Sequence, residues 1–213
     1  MTIELIGWLA GSARFRTFAE TYRDKIHKKL RNATDSDTAR DVRAELQVAR
    51  LLLADRRFEV SFEAYGSGKV GPDLTVSFRS TRTFDVEVTR LRRVPDAVGT
   101  GNAVMAKLRQ LTPSTPNVLL LSIDADTAAG VDVRAATRAL RARADAKDEP
   151  FFTGRGFDGS RGFYDRFLRL SAVLIWCERA TGEERASLWG NRSARIALPD
   201  QVARACLACL HAS

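Results

Sequence analysis

Two nearly unbroken apolar runs, NVLLLSI at 117–123 and SAVLIWC at 171–177, constrain this chain more tightly than any other feature. A strand with one wet face alternates apolar and polar residues, whereas a strand with no polar face has to be covered on both sides. Both runs therefore predict interior strands of a sheet that carries helices on each face. The segment between them, VDVRAATRALRARADA, has the spacing of a basic amphipathic helix. GNAVMAKLRQL, ahead of the first run, also reads as a helix, with Val104, Leu108 and Leu111 apolar. Strands alternating with helices place the chain in the α/β class.

Three further strand candidates precede these in series. RFEVSFEAY puts Phe58, Val60 and Phe62 on one face. DLTVSF sets Leu74, Val76 and Phe78 against Asp73, Thr75 and Ser77, and TFDVEVT sets Phe84, Val86 and Val88 against Asp85, Glu87 and Thr89. GSGKVGP supplies the turn chemistry between the first two. Near the start, RFRTFAETYRDKIHKKLRN predicts one helix with Phe15, Phe18, Tyr22 and Ile26 as its stripe, and His27 as a partly exposed residue beside it. TDSDTARDVRAELQVARLLLADRRF offers Thr, Asp and Ser as caps for a second helix whose buried stripe is Val42, Leu46, Ala49 and Leu53. FFTGRGFDGSRGFYDRFLRL begins as a glycine-rich loop and ends helical, ASLWGN suggests an edge strand, and DQVARACLACL closes as a helix. The expected architecture is a central mixed sheet flanked by helices. Residues 1–40 form an N-terminal helical extension packed on a domain of 41–213.

The chain has 213 residues, 45 % hydrophobic and 28 % charged, which suits one substantial globular domain and excludes wholesale disorder. No apolar run approaches the ~20 residues that span a bilayer. MTIELIGWLAGSARF carries an acid where a secretory signal is basic, so a cytoplasmic protein without membrane attachment is expected. Cys206 and Cys209 form a C-x-x-C with no second pair to complete a zinc site and only His211 as a nearby ligand, so they read as a buried pair on a helix; Cys177 reads as core. The net charge of +8, with arginine far ahead of lysine, suits a phosphate-rich partner. An arginine-rich surface from a GC-rich genome carries the same charge, so this alone decides nothing.

Strand alternation puts Asp85, Glu87 and Thr89 on a common face, and if DLTVSF pairs with TFDVEVT the Asp73 side chain approaches Glu87. Two carboxylates that close raise one another's pKa unless a cation lies between them. A hard divalent ion such as Mg²⁺ accepts such oxygen ligands, typically one or two carboxylates plus waters. Glu45, at the edge of its helix's buried stripe, is a further oxygen donor if it faces the core, and a solvent-exposed acid if it does not.

GPD at 71–73, fourteen positions before the Glu of DVEVT, resembles the PD-(D/E)XK, or restriction-endonuclease-like, nuclease superfamily. The preceding helix with its Glu, the following helix with KLRQL and the strand NVLLLSI stand in that superfamily's core order, αβββαβ, and the resemblance covers residues 40 to 125 in detail. It implies Asp73 and Glu87 as metal ligands, Glu45 as an auxiliary one, Mg²⁺ or Mn²⁺ as cofactor, and hydrolysis of phosphodiester bonds in DNA by an activated water. The superfamily's lysine falls two residues after the acid, where this chain has Thr89. The resemblance implies Lys107, on the following helix, as its replacement, with Gln110 one turn later and Lys69 as a weaker substitute. Asp85 and Thr89 are possible auxiliaries.

Bland readings stand beside these. Asp73 can be a turn residue after Pro72, and Glu87 can pair with an arginine of a neighbouring strand. Arg90 and Arg92 can clamp a phosphate but cannot act as bases. Arg155 and Arg161, among Phe157, Phe163 and Tyr164, either contact phosphates or belong to a loop anchored by its aromatics. The alternatives to a nuclease are a superfamily member that binds nucleic acid without cutting it, and a protein-interaction scaffold. A homodimer or a companion protein is compatible with each.

Overall fold

The computed structural model describes residues 2–64, 71–91, 96–123, 130–177 and 186–211. Helices α1 (Thr2–Gly11), α2 (Ala13–Thr21), α3 (Arg23–Asn32) and α4 (Ser36–Ala54) lead into strands β1 (Phe58–Phe62), β2 (Leu74–Phe78) and β3 (Arg82–Arg90). Then follow α5 (Ala97–Leu108), β4 (Asn117–Ile123), α6 (Val133–Asp145), α7 (Glu149–Thr153), α8 (Gly159–Phe167), β5 (Leu170–Cys177), β6 (Ala186–Gly190) and α9 (Asp200–His211). The six strands make one open sheet in the order β1-β2-β3-β4-β5-β6. β1, β2 and β3 run antiparallel in turn, β3, β4 and β5 are parallel, and β6 returns antiparallel on the edge.

Helices cover both faces, as the two apolar runs require. Phe84, Val86 and Val88 of β3 share one core with α2, α4, β1, β2 and α9. Leu119, Leu121 and Val173 share the other with α5, α6 and α8. All seven residues of β4 are buried, so each face of that strand is matched by its own helical layer. Cys206 and Cys209 lie buried on α9 and Cys177 at the end of β5, all as free thiols. No described helix is long and apolar enough to cross a membrane.

Three local expectations are corrected. The first long helical stretch is broken at Tyr22, whose backbone (φ −106°, ψ 17°) leaves the helix while its ring packs on Phe18 and Phe62. The break turns α3 so that Lys25 donates to the carbonyls of Phe62 and Glu63 at the end of β1. Helix α5 starts at Ala97, earlier than its glycines suggest, because the Asp96 carboxylate caps it by accepting from Gly99 N; it ends at Leu108, before Gln110. The glycine-rich stretch ends helical, as expected, in α8, with a turn at 154–158, but it opens on the last residues of the short helix α7 instead of a loop. The Glu149 carboxylate joins the two helices by accepting from Ser160 N and Oγ. Phe157 and Phe163 are buried there, so the aromatics anchor this stretch in the core. The division at residue 40 falls within α4, and Phe15, Phe18 and Ile26 ahead of it are buried in the same core as the sheet.

Candidate functional site

β2 and β3 pair with Leu74 opposite Val86, so Asp73, one residue ahead of Leu74, stands beside Glu87 where the pairing runs out. One oxygen of Asp73, Oδ2, accepts from the backbone N–H of Val88 at 2.9 Å. The other, Oδ1, accepts from Lys29 Nζ at 3.1 Å. Lys29 comes from α3, and its ammonium also donates to Glu45 Oε2 at 2.6 Å and lies 3.4 Å from Glu63 Oε1. Glu45 is only 6 % exposed: it faces inward from α4, settling its two readings. Glu87 is 2 % exposed; its Oε1 accepts from Lys107 Nζ of α5 at 2.6 Å, while its buried Oε2 has no hydrogen-bond partner among the described residues.

Four carboxylates, of Glu45, Glu63, Asp73 and Glu87, thus surround two ammonium groups. If all ionise, these six described groups sum to two excess negative charges in a poorly solvated place. Burial, and then the charge of Asp73, push the Glu87 carboxyl up to about 7 against the opposing pull of Lys107. Burial and Asp73 likewise raise Glu45 well above the usual carboxylate range, with Lys29 opposing. For both lysines burial disfavours the charge, but the neighbouring acids outweigh it, Glu45 and Asp73 at Lys29 and Glu87 and Asp73 at Lys107, so both pKa values rise. The lysines stay charged, and the cluster still attracts further positive charge.

The remaining expected residues fall elsewhere. Asp85 shares the Glu87 face but is enclosed at 1 % exposure, accepting from the hydroxyls of Thr75, Thr112 and Thr115 at 2.8, 2.7 and 2.6 Å. It ties β2, β3 and the segment before β4 together, away from the lysines. Thr89 stands beside Leu121 on the Glu87 face, and no hydrogen bond joins its side chain to a described carboxylate. Gln110 lies in the turn beyond α5 with its buried Oε1 unpartnered, and makes no contact with Lys107 beyond a backbone hydrogen bond. Arg90 belongs to the opposite face of β3, the one toward α4, where Asp37 and Asp41 engage its guanidinium at 2.8 and 3.2 Å; it ties strand to helix instead of awaiting a phosphate. Arg155 stacks 3.8 Å from the centre of the Phe151 ring, and Arg161 is exposed on α8; neither contacts the cluster. Lys69 and Arg92 lie outside the described residues. The sequence reading missed Lys29 and Glu63. Lys29 occupies the position that continues the stripe of Phe15, Phe18, Tyr22 and Ile26, and a charge at the end of an apolar stripe was the available signal.

Comparison with protein-family models, curated proteins and solved structures finds no match. Function therefore rests on the chemistry of the cluster. Among the described residues no three His, Cys, Asp or Glu side chains make a ready metal cage. Two of the donors nevertheless fit a hard divalent ion: Asp73 and Glu87 match the one or two carboxylates that Mg²⁺ commonly takes from a protein. An orphaned buried oxygen, Glu87 Oε2, is a group that such an ion would satisfy.

Proposed function

We propose that this chain is a metal-dependent nuclease of the restriction-endonuclease-like kind, hydrolysing phosphodiester bonds in DNA. The observation that carries the proposal is the meeting of Asp73, Glu87 and Glu45 with Lys29 and Lys107 at the open end of the β2–β3 pair. The element order around it, helix, three antiparallel strands, helix and parallel strand, supports the reading. Asp73 and Glu87 would hold Mg²⁺ or Mn²⁺, with Glu45, paired to Lys29, as a further oxygen donor. A bound ion of this kind supplies Lewis-acid polarisation of a phosphoryl oxygen and acidifies a water.

The chain's own residues supply the rest. Without metal, Val88 N–H and Lys29 hold the two oxygens of Asp73. The backbone donor sets the direction of that carboxylate, and Lys29 is the counter-ion that an arriving cation displaces toward the phosphate. Lys107, held at Glu87, offers the fixed positive charge that Thr89 cannot. As water adds to phosphorus and the bond to the leaving oxygen breaks, two ammonium groups offset the negative charge growing on the phosphoryl oxygens. The scaffold alternative draws support from the same ion pairs, since both lysines already engage the acids; the partners are lysines and not the arginines that reading expects. Incubating plasmid and single-stranded DNA with the protein and Mn²⁺ separates the readings. Cleavage by wild type that Asp73→Ala abolishes is expected, and intact DNA with calorimetrically demonstrated Mn²⁺ binding would leave only a binding role.

A further inference from the structure

A groove of about 810 Å³ runs between α6 and the β6 edge of the sheet, away from the carboxylates. Arg134, Arg138 and Arg141 line one wall, spaced so that they share one side of α6, and Arg192 closes the other end. The floor includes Trp189, whose ring packs against Phe167 at 6.4 Å between centroids. Some arginines elsewhere are matched, Arg43 to Glu4, Arg57 to Asp55, Arg143 to Asp148 and Arg195 to Asp165, and others, such as Arg16, Arg56 and Arg204, stand exposed on separate elements. What distinguishes the groove is that several guanidiniums line one concavity. Arg134, Arg138 and Arg192 are exposed and form no ion pair with any described residue. Two acids also line the groove. Asp145 accepts from the Tyr164 hydroxyl, and Asp200 stands in the first turn of α9, where the helix dipole favours it.

We propose that this groove binds a single strand of nucleic acid, its phosphates on Arg134, Arg138 and Arg192 and a base against Trp189. Unpaired guanidiniums that converge across a concavity create a positive potential that a polyanion relieves. An indole in the floor adds what a plain phosphate site lacks, because any base of an unpaired strand presents a π face, whereas duplex bases are already stacked. The volume is in the range of sites that enclose a small ligand, so a nucleotide or two can enter it. Val173 pairs with Trp189, Leu119 with Val173 and Glu87 with Leu119, which puts the indole in the same transverse row as Glu87. Three strand spacings, about 14 Å, separate them. The groove is thus distinct from the carboxylate cluster, and binding there stands whether or not the chain cuts.

Fluorescence anisotropy with a labelled oligothymidylate of about 15 nucleotides tests this. The titration is run in EDTA, so that failure to bind and failure to cleave are separate results. The triple variant Arg134→Gln, Arg138→Gln, Arg192→Gln is expected to bind about tenfold or more weakly, with a plot of log affinity against log salt shallower by about 2. Trp189→Ala is expected to weaken binding with an unchanged salt slope, and Trp189→Phe to restore most of it. Circular dichroism and melting temperature establish that each variant is folded. Wild-type affinity and slope in the triple variant overturn the proposal, as does the absence of binding by the wild type. Tighter binding of a duplex of equal length, or full affinity in Trp189→Ala, rejects the stacked single strand in favour of a plain polyanion.

Discussion

Replacing Glu87 by Gln removes an ionisable carboxyl while keeping its shape, and so isolates the charge crowding at the cluster. Burial and the neighbouring Asp73 raise this carboxyl from 4.5 to about 7. That difference corresponds to about 3 kcal/mol between its two protonation states. The sign follows from proton uptake: between 4.5 and about 7 the folded chain binds more protons at this position than the unfolded chain does. The stabilisation is therefore complete below the unfolded value, declines across that window and is gone above the folded value. Urea unfolding in EDTA, at steps across that window and above it, is expected to show wild type losing up to about 3 kcal/mol more than Glu87→Gln over the same range. The altered contact with Lys107 shifts the whole curve of the variant but not its slope, because Lys107 titrates far above the window. Parallel curves for the two proteins would show that Glu87 is not ionising in a crowded, buried place, and the electrostatic case for a cation site would fail.

Three other substitutions test neighbouring parts of the structure. Asp85→Ala strands three threonine hydroxyls and is expected to cost about 3 kcal/mol or more in chemical denaturation; a loss under about 1 kcal/mol would show that those hydroxyls find other partners. Lys29 is 23 % exposed at its side chain, so Lys29→Ala is expected to cost about 2–3 kcal/mol without metal, between the values for surface and enclosed pairs. Mn²⁺ is expected to raise the melting temperature of Lys29→Ala more than that of wild type, and equal shifts would rule out that the ammonium and a metal compete for the same oxygens. Arg90→Ala is expected to lower stability by about 1 kcal/mol through its lost ties to α4, with DNA affinity in anisotropy unchanged; a clear loss of affinity would restore Arg90 as a phosphate clamp.

The strands were legible because their constraint is local and strong. NVLLLSI and SAVLIWC allow no wet face, and the alternation in DLTVSF and TFDVEVT fixes which side chains share a surface once the strands pair. Helix boundaries were less legible. The break at Tyr22 has no glycine or proline to announce it and is set by packing of its ring on Phe62, a residue forty positions away. At α5 the expected start at Gly101 fell one turn late, because the capping Asp96 lies ahead of the stretch GNAVMAKLRQL. The same division holds at the site. Asp73 and Glu87 follow from strand register, which is periodic and readable. Lys29 meets them only because α3 turns back across the end of β1, and no pattern within its own segment states where that helix will lie. Arg90 fell away from the cluster for a simpler reason: it is close to Glu87 in sequence but lies on the other side of the strand.

The reach of Lys29 into the cluster bears on the order in which the molecule is made. During synthesis α3 emerges before any of the acids it serves, since Glu45, Glu63, Asp73 and Glu87 all follow it in the chain. The counter-ion is therefore already waiting when the first carboxylates arrive from the ribosome, and the nascent sheet need not close around naked like charges. A protein begun at residue 41 would have to assemble the same pocket without that escort.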